Sequence, residues 1–393
     1  MPNLNQYDII IVGAGPAGIS TALHLAQIAP GLVGRTLILE KAHHPRHKLC
    51  GGGILPDAEV VLRHLGLDIR EVPHVDVDWA RFDFNGVGMK MRGEKKGRIA
   101  FRTIRRNEFD AWLAGKARDL EFVIQEDSVV KSIAVTHSGL TVLTDRGEYQ
   151  AALIVGADGS NSIVRRAIVP HEALHVARLL EVVTESQPEK SLHRQSDSYF
   201  DFGVIPQGIQ GYVWDFPAME KGHPVRVRGI FDGNVFPGKA TVPLRFALDE
   251  ELGKHGLNLS DYKLEGHPLR WFDAQSVFSA ERVLLVGDAA GADVLFGEGI
   301  SIALGYGALA AETIRQAFAS HDFSLQGYRR AILSSDLGKA LRRRTWMAKF
   351  FYRLRSPLFQ KFVWRKMGWF VAWAMRAFFI GWARRQEKRD SRP

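Results

Sequence analysis

Cysteine is almost absent from this chain: Cys50 stands alone among 393 residues. A single thiol rules out a disulfide framework and any cysteine-built metal cluster. The fourteen histidines show no ligand spacing beyond the adjacent pair His43 and His44, so no metal site is expected. Internal repeats and low-complexity segments are missing too. No signal peptide is visible, because the apolar run after Tyr7 is flanked by Asp8 and reads as a first strand; a cytoplasmic body is expected. Acidic residues are scarce in one region only. Residues 341–393 hold fifteen Lys or Arg against Glu387 and Asp390, while the first 340 residues carry 37 basic and 41 acidic groups. The net charge of +9 therefore belongs to a cationic tail on a slightly acidic body.

What is present begins with size. A chain that is 46% apolar can support two or three compact units with substantial cores. Its clearest motif is Tyr7–Asp8–Ile9–Ile10–Ile11–Val12–Gly13–Ala14–Gly15–Pro16–Ala17–Gly18, an apolar strand running into a GxGxxG turn. Gly13 allows the sharp turn, Gly15 the approach of a pyrophosphate, and Gly18 close packing of helix on strand. Phosphates then sit at a helix N-terminus, entered through Pro16 and Ala17, where unpaired N–H groups favour negative charge. Glu40 closes the strand-like run Thr36–Leu39 and suits a ribose hydroxyl. An acid there repels a 2′-phosphate, so FAD or NAD fits and NADP does not.

Two further glycine–acid punctuations follow strand-like runs: Gly156–Ala157–Asp158–Gly159–Ser160, and Val286–Gly287–Asp288–Ala289–Ala290–Gly291. They resemble the fingerprints of FAD-dependent oxidoreductases of the para-hydroxybenzoate hydroxylase type. That resemblance covers roughly residues 6–330 and makes FAD the expected cofactor. It implies Asp158 and Gly159 near the pyrophosphate, Asp288 and Ala289 at the ribityl chain, and the helix after Gly297 directed at the isoalloxazine. Arg106 matches the Arg-x-x-Phe-Asp-x-x-Leu helix start whose arginine contacts FAD in that superfamily.

Residues 76–104 and about 170–280 alternate apolar and polar positions, as in Val225–Arg226–Val227–Arg228–Gly229–Ile230–Phe231, and read as antiparallel strands. The expected architecture is α/β: a doubly wound, Rossmann-like FAD-binding domain (1–75, 105–170 and 280–330) with an inserted antiparallel β-sheet substrate domain (76–104 and 171–279). A basic aromatic helical tail follows (331–393).

Three segments narrow the resemblance: Lys48–Leu49–Cys50–Gly51–Gly52–Gly53–Ile54, Tyr212–Val213–Trp214–Asp215–Phe216–Pro217, and Gly297–Glu298–Gly299–Ile300. Together they look like the geranylgeranyl reductase family. There a KxCGGG segment lies by the flavin, a YxWxFP segment lines a lipid cavity, and isoprenoid double bonds are saturated. The match departs at Ile209 and Val294, where the family pattern has prolines, which bears on substrate shape. The resemblance implies cofactor contacts from Lys48, Cys50, Gly51, Gly52, Gly297, Gly299 and Ile300, and substrate contacts from Gly53, Tyr212, Trp214 and Phe216. Cys50 is the candidate proton donor. No second dinucleotide fingerprint exists, so the reductant is NAD(P)H docked transiently or an electron-transfer protein. An aromatic hydroxylase, a halogenase-like monooxygenase and a membrane-bound electron carrier share the FAD motifs and stand as alternatives.

The tail holds five of the nine tryptophans. Read as one helix from Leu358 to Trp382, it sets Lys361, Arg365, Lys366 and Arg376 on one arc. Trp364, Met367, Phe370, Val371, Ala374, Met375, Phe378 and Trp382 fall on the other. Its longest uncharged stretch, Met367 to Met375, is far short of the ~20 residues that span a bilayer. A helix lying in the membrane interface is expected, with a helix docked on the body as the competing reading. Bulky apolar surface argues against nucleic acid.

Overall fold

The computed structural model describes residues 5–93, 99–170, 175–186, 194–376 and 380–390. Ile9–Val12 is wholly buried, as expected of a short apolar run covered on both faces of a parallel sheet. It pairs with Leu153–Gly156 on one side and Thr36–Leu39 on the other. Val123–Gln125, Val283–Leu285 and the antiparallel edge Ser279–Ala280 complete six strands. Three glycine–acid turns thus leave neighbouring strands at one end of one sheet. Helices α1 (Pro16–Ile28), α2 (Pro56–His64), α3 (Arg106–Asp119) and α4 (Ile163–Ile168) follow in chain order.

The second large sheet has seven strands, in the order Glu265–Arg270, Val176–Glu185, His223–Asp232, Gly211–Glu220, Asp197–Asp201, Trp79–Phe84 and Val87–Met91. It is antiparallel except where Asp197–Asp201 runs parallel to Trp79–Phe84. Those strands come from two separate excursions of the chain, so no hairpin dictates their direction. One face buries Tyr212, Trp214 and Phe216. The other buries Val182, Val213 and Ile230 under α5 (Leu244–Lys254). The segment expected to join this sheet at 76–104 divides. Phe101–Ile104 instead lies between Gly53–Ile54 and His74–Val77, antiparallel to both, in a small sheet beside the glycine run.

Helix α6 (Ile300–Ser320) lies along α1, with the Ser20 hydroxyl donating to the Leu304 carbonyl at 2.7 Å. Helices α7 (Tyr328–Ser334) and α8 (Asp336–Phe351) follow. The single helix expected from Leu358 to Trp382 is instead α9 (Pro357–Lys366), α10 (Gly368–Ala374) and α11 (Trp382–Asp390). Met367 leaves helical geometry before Gly368, and Gly381 adopts φ +84° just ahead of α11, a conformation in which a helix cannot continue. Phe378 lies outside the described residues. The faces differ accordingly. Trp364, Met375 and Trp382, expected on an outward apolar arc, are buried, with Trp364 stacked on Phe202 at 5.0 Å. Arg344, one of the tail's cations by sequence, is buried as well.

Candidate functional site

A cavity of about 1450 Å³ runs from the GxGxxG turn, past the glycine run at 51–53, to the aromatic face of the second sheet. That exceeds the ~300–1,000 Å³ of a typical ligand pocket, leaving room for a dinucleotide and a second molecule. At its first end each glycine has a separate reason. A Cβ on Gly13, at φ +107°, would stand 2.4 Å from the Ala157 carbonyl oxygen, and one on Gly18 would stand 2.0 Å from the Gly13 oxygen. At Gly15 a Cβ would meet only Arg46 Nη2, at 3.5 Å, so its backbone is open to the cavity. Helix α1 begins there with Pro16 and has neither an acidic residue in its first turn nor a side-chain cap. The N–H groups of its first turn are left for a partner outside the helix, an arrangement that favours negative charge.

Glu40 is buried and accepts the Ala14 N–H at 2.9 Å and the Ala42 N–H at 3.2 Å. Its carboxylate therefore stands beside the GxGxxG turn. Asp158 takes the Ile163 N–H at 2.6 Å, while its other oxygen is buried without a partner. Burial holds its carboxyl above the usual range. Arg106 grips Asp110 through two bonds of 2.7 and 2.8 Å, and Arg46 adds a contact to Asp110 at 3.2 Å. These pairs fix two guanidinium groups along the cavity wall.

Lys48 Nζ lies 2.5 Å from His267 Nε2. An ammonium only donates, so His267 accepts and is neutral. Burial, reinforced by Lys48, lowers the imidazole to about 4. Burial likewise lowers Lys48 to about 8 against the opposing pull of Asp288. Cys50 is half-buried, and its sulfur accepts the Gly52 N–H at 3.3 Å. Gly52, at φ +78°, would place a Cβ 2.0 Å from the Ile104 carbonyl oxygen. At Gly51 a Cβ would lie 3.2 Å from both Phe216 and Trp214 Nε1. The glycine run and the aromatic strand, some 160 residues apart in sequence, therefore touch. The Tyr212 hydroxyl donates to the Phe296 carbonyl, which leaves the ring as wall. Trp214 Nε1 is buried without a partner.

Gly13, Gly15, Pro16, Ala17, Glu40, Lys48, Cys50, Gly51, Gly52, Gly53, Arg106, Asp158, Gly159, Tyr212, Trp214, Phe216, Asp288, Gly297, Gly299 and Ile300 all line this cavity. Gly18 and Ala289 do not: Gly18 packs α1 on its strand, and Ala289 is core, its carbonyl taken by Arg165 at 3.0 Å. Sequence reasoning missed His267 and the clamp behind Gly297–Ile300. In that clamp Arg344 Nη1 of α8 meets Glu298 at 2.5 Å and Asp293 at 3.2 Å. None of these has a local signature, since each acquires its partner only through the fold.

Among known proteins, residues 6–224 match the FAD binding domain family. The match covers more than half of the chain, and the chain belongs to this family of FAD-dependent oxidoreductases. It is similar to digeranylgeranylglycerophospholipid reductase of Methanococcus vannielii, at 26% identity over 81% of this chain and 79% of that one. It is also similar to menaquinone reductase of Mycobacterium tuberculosis, at 27% identity over 78% and 76%. Its fold is shared with the geranylgeranyl bacteriochlorophyll reductase-like protein of Thermoplasma acidophilum, with a TM-score of 0.79, 21% identity, and coverage of 98% and 99%. The FAD cofactor, the oxidoreductase class and the resemblance to geranylgeranyl reductases all hold.

Proposed function

We propose that this protein is an FAD-dependent reductase that saturates carbon–carbon double bonds of a prenyl or other long apolar lipid at a membrane surface. The contact of Gly51 with Trp214 and Phe216 carries the reading, because it joins the glycine run to an aromatic wall inside one cavity. The wall continues through Phe82, Phe101, Phe200 and Phe296, and such flat apolar surface suits a prenyl chain. Toward α2 and α11 the lining turns basic, with Arg63, Arg92, Arg376, Arg385 and Lys388. Glu59 and Asp76 in the same rim are both held by Arg102, at 2.6 and 2.9 Å. An amphiphile with an anionic head and an apolar chain matches that gradient.

FAD held there would supply hydride chemistry, and the chain's share is to hold the alkene, exclude water and provide a proton. We assign holding to Tyr212, Trp214 and Phe216, close backbone approach to Gly51, Gly52 and Gly53, and the proton to Cys50. Phosphate contacts fall to Gly15, Pro16 and Ala17, ribose to Glu40, and the flavin end to Lys48, Arg106, Asp288, Gly297, Gly299 and Ile300. The reductant is NAD(P)H or an electron-transfer protein.

Membrane contact is supported by an outward patch on α8, α9 and α10: Trp346, Phe350, Leu358, Phe362, Trp369 and Trp373 are exposed. Lys349, Lys361, Arg365 and Lys366 are exposed among them. A patch of this kind on a monomer marks an interaction surface. Among the described residues no helix is long and apolar enough to cross a membrane.

The deciding experiment mixes reduced holoenzyme with a prenyl lipid and reads the product mass under nitrogen and in air. Added hydrogen without oxygen is the expected result. A hydroxylated product in air would replace the reading with a monooxygenase, and no product would replace it with an electron carrier.

A further inference from the structure

Lys48 lines the cavity just ahead of the glycine run, and His267 lines it from the seven-stranded sheet. His267 lies on the edge strand Glu265–Arg270, opposite Leu179, which also lines the cavity. Opposed residues of an antiparallel pair share a face, so the imidazole stands on the cavity side of the sheet. Two ties join the loop to this strand: His47 Nε2 pairs with Glu265, and Lys48 Nζ lies 2.5 Å from His267 Nε2. The second tie leaves a charge over. Arg46 and Arg106, neighbouring cations of the cavity, are matched by the carboxylates of Glu40 and Asp110. Lys48 has His267 as its partner, and among the described residues no carboxylate is in ion-pair contact with it. Asp288 draws on the ammonium only from beyond that range. A neutral imidazole orients an ammonium without neutralising it, so an unmatched positive charge is held on the cavity wall.

We propose that the Lys48 ammonium raises the redox potential of bound FAD and that His267 is the positioning residue that holds it in place. The inference rests on the assignment of Lys48 to the flavin end given above, and not on the identity of the lipid. A hydride delivered to oxidised flavin brings two electrons and one proton, so the flavin gains one negative charge. A fixed cation beside it therefore favours the reduced form over the oxidised one, and more strongly as the closing cavity lowers the local dielectric. A lysine carries its charge on a flexible four-carbon stem, and an unheld ammonium turns outward to water. The hydrogen bond to His267 opposes that escape. Because the acceptor is uncharged, it fixes the ammonium without cancelling the field that the flavin would feel.

The test is the midpoint potential of the flavin in FAD-loaded enzyme, read at neutral pH against a reference dye. It uses neither lipid nor turnover, so failure of the reductase reading cannot mimic failure of this one. Lys48→Met keeps the bulk of the stem and removes the charge. Its preference for reduced over oxidised FAD should fall about tenfold, a drop of about 30 mV for a two-electron couple. His267→Leu should lower the potential in the same direction by less, and His267→Gln, whose amide oxygen can accept from Lys48, should restore most of it. In a Lys48→Met background, His267→Leu should add nothing, as expected of two residues acting through one interaction. A wild-type potential in Lys48→Met overturns the proposal. A His267→Leu shift that is absent, or that persists without Lys48, overturns the positioning role. Should the variants lose FAD, the wild type decides: its flavin is expected to be easier to reduce than free FAD, and a lower potential than free FAD overturns the proposal.

Discussion

Gly13 and Gly15 show how one residue type answers two demands at this site. Gly13→Val would force a side chain onto the Ala157 carbonyl in a left-handed conformation, so it should fail to fold. Gly15→Val places its side chain in the cavity; it should keep its far-ultraviolet circular dichroism and elute colourless in excess FAD. A yellow Gly15→Val protein would remove the phosphate assignment. Cys50→Ala should slow substrate-dependent reoxidation of the reduced enzyme by about 10²–10⁴-fold, the usual scale for a lost general acid, with Cys50→Ser between and FAD affinity little changed. Wild-type turnover in Cys50→Ala would take the thiol out of the mechanism. Burial also holds His267 and His24 neutral, each lowered to about 4 from 6.5. The unfolded chain binds these protons between those values and the native chain does not, so stability is present above pH 6.5 and is lost as pH falls toward 4. For His267, partly solvated, this amounts to about 1–3 kcal/mol. Urea midpoints at neutral and acid pH should converge in part in His267→Asn.

Among the elements, the C-terminal helices differ most from a sequence-only reading. Helix α11 does not lie free. Asp57 of α2 accepts the Gly381 N–H at 2.8 Å and the Ala383 N–H at 2.9 Å, anchoring its start. Trp382 is 2% exposed, and a Cβ on Gly305 of α6 would come within 2.4 Å of its ring. Trp382→Ala should therefore cost about 3–5 kcal/mol, as for large aromatic deletions in cores, and denaturant titration measures it. A cost below 1 kcal/mol would show that α11 is not docked. Deleting residues 341–393 is for the same reason no clean test of membrane binding, since it removes Arg344, Tyr352, Trp364 and Trp382 from the interior.

For the molecule as a whole, the contrast lies between a buried and an exposed set of tail aromatics. Trp369, Phe370 and Trp373 are exposed, at 75%, 41% and 52%. Replacing these three with serine should abolish sedimentation with anionic vesicles while leaving flavin content and unfolding midpoint within error of wild type. The surrounding lysines and arginines add about 1 kcal/mol each near an anionic surface, so wild-type binding should weaken as salt shortens the screening length. Vesicle binding unaffected by the triple substitution would reject these aromatics as the contact, and wild-type protein that does not sediment would reject membrane binding.

The cofactor was legible in the sequence because its requirements are local. A strand, a turn and a helix N-terminus within a dozen residues suffice to hold a pyrophosphate, and steric demands on Gly13 and Gly18 write themselves into residue type. The oxidoreductase class came from the resemblance of these turns to a known family, and the contact of the glycine run with the aromatic strand came only with the fold. Sequence alone could not pair Lys48 with His267 or turn Arg344 inward to clamp Glu298. Those contacts join residues on different sheets and helices, and burial, which shifts the titrating groups among them, exists only in the folded chain. The tail shows the same division. Its charge and aromatic content were plain, but which tryptophans enter the core and which face outward was decided by the breaks at Met367 and Gly381 and by the surfaces that α9, α10 and α11 met there.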